Sequence, residues 1–461
     1  MADSNPSGAV VENSGVLFSQ DFSLEKLNIL TSAGQRFEIR QLMQEFSYYE
    51  DIYTFSISGH VTVKDAQGFI ENLQLTGNEF IEVNFGKIKD SPNQDDQVFR
   101  LYKIGNRVPG DNLNSEVYTL YFCSEELMLS EQTKISKSFT GTKISDIVTN
   151  ILTEQLKVNS KKINVIETTT GVNDFVVPRM KPFEAISWLS TYARPQKTGG
   201  LGADMLFFET REGYNYRSLQ SMFSDPIYTT YKYQQNNLDD DTQPLQDKTV
   251  SVLQYEFVKT YDALQNISSG TFANRLISLD PVARKYKVTD FDVEKYKQQS
   301  TQLNSTTPFG VSKNRLNTSQ NQSYDSVIKV ATSNAFQSKS DYIKQAPGSV
   351  AKDIAIENYV PLRTAQLSLA NYNVLKLMIP GDPGISAGRT IQFNLMTIKP
   401  STTTRELDKF YSGKYLVTAV RHRILPKGSY QTILEIAKDS STNTISSTDD
   451  SNPDYRTFEN S

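Results

Sequence analysis

The sequence predicts a mainly β protein in which two antiparallel β-blocks flank an α+β insert. Three observations carry that expectation. In residues 53–63, Tyr53, Phe55, Ile57, Val61 and Val63 alternate with Thr54, Ser56, Ser58, His60 and Thr62, and Gly59 is the only gap on the apolar face. That is the period of a half-buried strand. Residues 411–440 carry two more strand patterns, 414–424 and 430–437, around a turn containing Pro426 and Gly428, which together read as a hairpin. From near Ser130 the period lengthens to that of a helix: Ile144, Ile147, Val148, Ile151 and Leu152 fall on one stripe.

Residues 1–17 are a Ser/Asn/Gly-rich lead expected to be flexible. The first β-block is expected over 18–128, with strands at 27–30, 37–48, 53–63, 79–85, 98–108 and 116–124 and a short helix at 67–73. Residues 129–247 are the α+β insert. Thr142 is read as the N-cap of its first helix, and Pro182 as the favoured first residue of its second, which buries Ala185, Ile186, Trp188, Leu189 and Tyr192. The second β-block is expected over 248–297 and 361–439. Residues 298–360 form a polar insertion with a helix; its stretch 298–340 is rich in Ser, Thr, Asn and Gln and reads as a loop too polar for a core of its own. Residues 440–461 are a polar, flexible tail. In the second block, 375–395 gives a strand, a Pro380-Gly381-Asp382-Pro383-Gly384 turn and another strand, which feed the hairpin as four successive antiparallel strands.

Composition narrows the function. With 461 residues, 48 Lys and Arg against 52 Asp and Glu, and a formal net charge of -4, the chain has no overall basic field to grip nucleic acid. A lone cysteine, Cys123, excludes an intrachain disulfide framework and a Cys-rich zinc site. No basic stretch followed by an apolar one opens the chain, and no apolar run reaches the ~20 residues of a membrane span, so a soluble protein without membrane insertion is expected. The 24 Tyr and 24 Phe against one Trp suit pleated surfaces.

The order of pieces in 361–440 resembles the second tube-like domain of the baseplate hub family of contractile-tailed, T-even-like phages. It runs from a short helix through a strand into a Gly-Asp turn and a Gly-preceded strand, then to GKYLVTAVRH and its partner. FSYYEDI at 46–52 resembles the acidic bend of the first tube-like domain, and 257–280 the segment that opens the second. The resemblance implies two tail-tube-like antiparallel β-barrel or sheet domains per chain and a non-enzymatic virion structural protein of the tail baseplate, assembled in the host cytoplasm. It further implies a homotrimeric ring that adapts a six-fold tail tube to a three-fold central spike. The implied partners are the spike protein, the tail tube or a tube initiator, and surrounding baseplate proteins, with genome DNA passing through a central channel without specific binding. A hub of a related contractile injection system fits the same residues.

The remaining constellations are weak. KTGGLGA at 197–203 looks like a phosphate loop but lacks its Gly-Lys-Ser/Thr ending and leads into a strand. Glu125-Glu126 and Glu50-Asp51 are the conspicuous carboxylate pairs, and adjacent carboxylates usually occupy a solvated face. His422, between Arg421 and Arg423, has no nucleophile elbow and is read as a solvent-facing or interface histidine; His60 is read as lying on a polar face. No catalytic residue, cofactor or metal is expected. The rival readings are a carbohydrate-active, wall-degrading enzyme on a β-scaffold and a host-surface binding module. As contacts between units, opposite charges nominate Glu50 and Asp51 with Arg421 and Arg423.

Overall fold

The structure, a computed structural model, describes residues 22–32, 34–70, 75–87, 96–110, 115–197, 202–233, 250–260, 262–280, 284–293, 300–305, 327–332, 356, 359–397, 407–426 and 429–442. The expected lead 1–17, the Gln/Asn-rich stretch 234–248 at the end of the expected insert, most of 298–340 and the tail beyond 442 lie outside them. The first block is β1 (Phe22–Leu30), β2 (Arg36–Glu38), β3 (Met43–Asp51), β4 (Ser58–Asp65), β5 (Phe80–Lys87), β6 (Gln97–Pro109) and β7 (Glu116–Cys123). The insert adds β8 (Ile135–Thr142), β9 (Ile163–Ile166), β10 (Asn173–Met180), β11 (Met205–Thr210) and β12 (Gly213–Ser218), with helices Ile144–Asn150 and Pro182–Ser190. Then come β13 (Ile227–Tyr233), β14 (Gln254–Lys259), β15 (Ala273–Asp280), β16 (Lys285–Asp292), β17 (Val327–Thr332), helix Val360–Ala370, β18 (Asn373–Pro380), β19 (Thr390–Leu395), β20 (Gly413–Leu425) and β21 (Ser429–Lys438).

The two blocks repeat one strand order. The first runs β3-β4-β7-β6-β5-β1 and the second β14-β18-β21-β20-β19-β13. Every neighbouring pair is antiparallel in both, except that β13 joins β19 in parallel where β1 joins β5 antiparallel. The repeat extends to irregularities. β6 bulges between Leu101 and Lys103, and β20 between Val417 and Ala419. Just before each bulge the same bond recurs, from Leu101 N–H to the Glu79 carbonyl at 3.0 Å and from Val417 N–H to the Arg389 carbonyl at 2.8 Å. Both β6 and β20 are 13 residues long.

Each block has a core, and the two are shared at the edges, since Ile424 and Tyr430 of the second block enter the first core and Ile52 enters the second. Phe46, Tyr48, Val61, Val63, Phe85, Phe99, Leu120 and Phe122 fill the first. Leu375, Leu377, Ile391, Phe393, Tyr415, Val420, Leu434 and Ile436 fill the second, which Phe208, Met222 and Phe223 of the insert also enter. The insert has a third core around Ile147, Ile151, Ile186, Phe207 and Tyr214.

Several sequence expectations are corrected. The strand expected from Tyr53 begins at Ser58, because the Asp51 carboxylate accepts the Tyr53 N–H at 2.7 Å and Thr54 bonds back to the Asp51 carbonyl, turning the chain. Ile57 still reaches the first core, whereas Phe55 packs against the insert. Lys143, not Thr142, precedes helix Ile144–Asn150; Thr142 ends β8. β13, expected in the insert, belongs to the second block, where the Tyr228 and Tyr231 hydroxyls donate to Asp382. Strands β15 and β16, expected in the second block, form a separate three-stranded sheet with β17. β17 lies in the segment expected to be a loop: Val327–Thr332 pairs with β15. Ser440 and Ser441, expected to begin the flexible tail, are buried, and the Ser440 hydroxyl accepts the Asn304 N–H at 2.7 Å. Of the phosphate-loop-like stretch, residues 198–201 lie outside the described residues; Met205–Thr210 beyond it is a strand, as expected.

Candidate functional site

The two blocks meet strand to strand. β20 is long enough to serve two partners along one edge: residues 413–416 pair with β19, and beyond the bulge residues 419–424 pair with β3, Ala419 opposite Asp51 and Ile424 opposite Phe46. Among the described residues this seam merges both blocks into one 13-stranded sheet. Period-two alternation sorts its side chains. Arg421 and Arg423 share one face and converge on Glu45 of β3, with contacts of 2.7 Å and 3.0 Å. Partial burial works against the Glu45 carboxylate, but hydrogen bonds from Arg423 and Ser47 outweigh it and hold its pKa below the ordinary value. His422 points the other way and is buried between the Tyr48 and Phe85 rings, sharing a 2.8 Å hydrogen bond with the Tyr430 hydroxyl. Burial, seconded by the Arg211 charge, lowers its pKa to about 3. His422 is therefore a neutral core residue, not the solvent-facing one expected from its arginine neighbours. His60 is half-buried, close to Tyr49 and Tyr121.

Glu50 is placed where no outer contact can reach it. It is 1% exposed. Its Oε1 accepts the Arg211 N–H of the insert at 2.7 Å and its Oε2 the Ala387 N–H of the second block at 2.9 Å, while the Tyr48 hydroxyl lies 3.3 Å from Oε1. One carboxylate thus ties three parts of the chain, and burial raises its pKa to about 7. The structure brings Arg421 and Arg423 together with Glu45 rather than with Glu50 or Asp51. Asp51 is partly buried and caps the turn after β3.

A second buried carboxylate, Glu209, joins the insert to the first block. It accepts the Ile57 N–H at 3.0 Å and the Ser124 hydroxyl. Burial, with the nearby Glu126 charge, raises its pKa to about 7. Of the Glu125-Glu126 pair, Glu126 is largely buried in an ion pair with Lys162 at 2.7 Å, and Glu125 sits in the first turn of helix Glu125–Gln132. Sequence reasoning missed Glu45, Glu209 and Arg211, whose partners across the seam and the insert junctions (Arg421 and Arg423, Ile57 and Ser124, and Glu50) lie far away in the chain.

Glu209 supplies a pH test. A carboxyl whose folded pKa exceeds its unfolded one costs stability that is fully present above the folded value and absent below the unfolded value. The cost at Glu209 therefore fades as pH falls from about 7 toward the ordinary 4.5. Glu209→Gln keeps one oxygen for the Ile57 N–H and cannot ionise. It is expected to be more stable than wild type at pH 8 by up to about 3 kcal/mol, with the advantage gone near pH 4.5. Urea titrations at several pH values read this directly; an advantage independent of pH would contradict it.

No family model matches the sequence. The chain is 24% identical over 391 residues to a probable baseplate hub protein of Vibrio phage KVP40, covering 84% of this chain and 88% of that one. Among solved structures, a tail protein from Neisseria meningitidis MC58 matches with a TM-score of 0.51 at 8% identity, covering 91% of this chain and 97% of that chain. The 43 kDa tail protein of prophage MuSo2 from Shewanella oneidensis gives 0.49 at 8% identity, covering 90% and 98%. The sequence similarity to a hub protein and the fold shared with the Neisseria meningitidis tail protein agree with the resemblance read from residues 361–440.

Proposed function

We infer that this chain is a baseplate hub protein of a phage tail or a related injection machine, a structural part of the virion tail. We propose further that three copies close into a ring in which two tube-like blocks per chain give six similar units. Such a ring matches a six-fold tail tube or tube initiator on one side and a three-fold spike on the other, among surrounding baseplate proteins. One observation supports the ring above all: the blocks repeat the same strand order and are already fused edge to edge at β3 and β20. A chain carrying two copies of one unit presents six-fold repetition from three-fold assembly, and closure covers open strand edges. A net charge of -4 suits a channel that lets DNA pass without holding it.

Light scattering on the purified chain is expected to give three times the chain mass, and the trimer is expected to bind the spike and tube proteins of the same virion in pull-downs. A monomer at high concentration that retains neither partner would end this reading. Turnover of purified cell wall by the chain alone would favour the enzymatic alternative instead.

A further inference from the structure

The repeat leaves one seam unmade. In the second block the stretch of β20 beyond its bulge is covered by β3. The equivalent stretch of β6, from Lys103 to Val108, pairs with β7 on one side, while ladder partners on its other edge end at Arg100 among the described residues. The strand equivalent to β3 is β14, which pairs with β18 and, among the described residues, ends the sheet. Both orphan edges carry apolar side chains in the open. Tyr102, Ile104 and Val108 are exposed on β6, Val108 at 52%, and Phe257 and Val258 on β14, the latter at 53%. At the occupied seam the matching strands are mostly buried.

We propose that β14 of a second copy of this chain adds antiparallel to the free edge of β6, repeating between chains the seam that β3 and β20 make within one. The register follows from the ladders, traced across a second irregularity of β6 between Gly105 and Val108 that β20 lacks. Arg421 pairs with Tyr49 and Arg423 with Ser47. Their equivalents, traced through the β7 and β21 ladders and the β4 and β18 ladders, set Gly105 opposite Lys259 and Val108 opposite Glu256. The occupant is a second copy because the two open edges are complementary halves of a seam the chain already builds. An unpaired edge flanked by exposed apolar residues is an aggregation site unless it is covered. The two seams are not interchangeable. The equivalents of Arg421, Arg423 and Glu45 are Gly105, Val108 and Gln254, so the interchain seam lacks the arginine–glutamate cluster that marks the internal one. This chemical difference keeps the internal seam from being swapped between copies. The proposal rests on the ring reading for the number of copies, not for the edges that meet.

The test is a full chain carrying Val108→Cys and Glu256→Cys, with buried Cys123 as the internal control. After mild oxidation, non-reducing denaturing gels are expected to show covalent dimers and trimers, while each single-cysteine variant stays at monomer mass. Separately, Val258→Glu, at an exposed position, is expected to leave the circular dichroism and melting of the subunit unchanged and to weaken assembly at least tenfold. Trimers by light scattering with neither cross-linking nor weakening would overturn this edge pairing and leave the ring intact. A wild type that stays monomeric at every concentration would overturn both.

Discussion

Replacing Glu50 by alanine is expected to lower stability by about 3 kcal/mol and to loosen the insert from both blocks. The warrant is the pair of backbone N–H groups, of Arg211 and Ala387, that this one side chain satisfies inside the protein. Each buried donor left without an acceptor costs roughly 1–3 kcal/mol. Part of that loss is offset because alanine also removes the cost of ionising a buried acid, which is why the expected net lies below the sum. Glutamine is not a rescue at this position. Both Glu50 oxygens accept from backbone, so the amide nitrogen of Glu50→Gln must face an N–H, and only one of the two bonds can be kept. Glu209 differs, since only one of its bonds comes from backbone and the others from the rotatable hydroxyls of Ser124 and Tyr214. Hydrogen exchange should show the Arg211 and Ala387 amides deprotected in Glu50→Ala, and unchanged protection there would show that the junction is held by something else.

Gly59→Val is expected to abolish soluble, folded protein, and Gly59→Ala to cost about 3 kcal/mol, the top of the usual range for overpacking. Gly59 is the second residue of β4, paired with Tyr48 on β3 and with Phe122 on β7. A Cβ there would stand 2.2 Å from the Phe122 ring and 2.5 Å from the Ser47 carbonyl oxygen. The ring can be shortened, so Phe122→Leu should recover part of the alanine variant's loss. It cannot recover all of it, because Ser47 belongs to the seam strand β3 and its carbonyl is fixed in the ladder. The shift of the urea midpoint at constant slope gives the cost. An alanine variant as stable as wild type would mean that the two flanking strands yield at this point.

Much of this fold was legible because local period reports burial. Val61 and Val63 alternate into the core as read, and Pro182 begins its helix as read. The gap at Gly59 was visible as a missing apolar residue; its reason, the Phe122 ring, comes from another strand. His422 was misread through its charged neighbours, although alternation alone sets it on the face opposite Arg421 and Arg423. The start of the strand near Tyr53 was misplaced because side-chain hydroxyls and carboxylates that bond to nearby backbone compete with strand pairing, as Asp51 and Thr54 do. β17 was hidden by the polar composition around it and by its own order, since VIKVAT does not alternate apolar with polar and its Ile328 and Val330 are exposed. Glu45 and Glu50 carry no signal of their role, since the groups that give them meaning lie on distant parts of the chain.

That distance has a consequence for synthesis. The bond between Arg421 and Ser47 spans 374 residues of sequence. On a ribosome moving at roughly 5–20 residues per second, β3 waits on the order of half a minute with one edge bare before its partner strand exists. During that time the nascent first block can be captured only by intermolecular pairing or by a chaperone. An interrupted product that stops before β20 never covers β3, so the last hairpin to be made acts as a completeness check. A prematurely released chain lacks the internal seam and with it the fixed spacing between the two blocks.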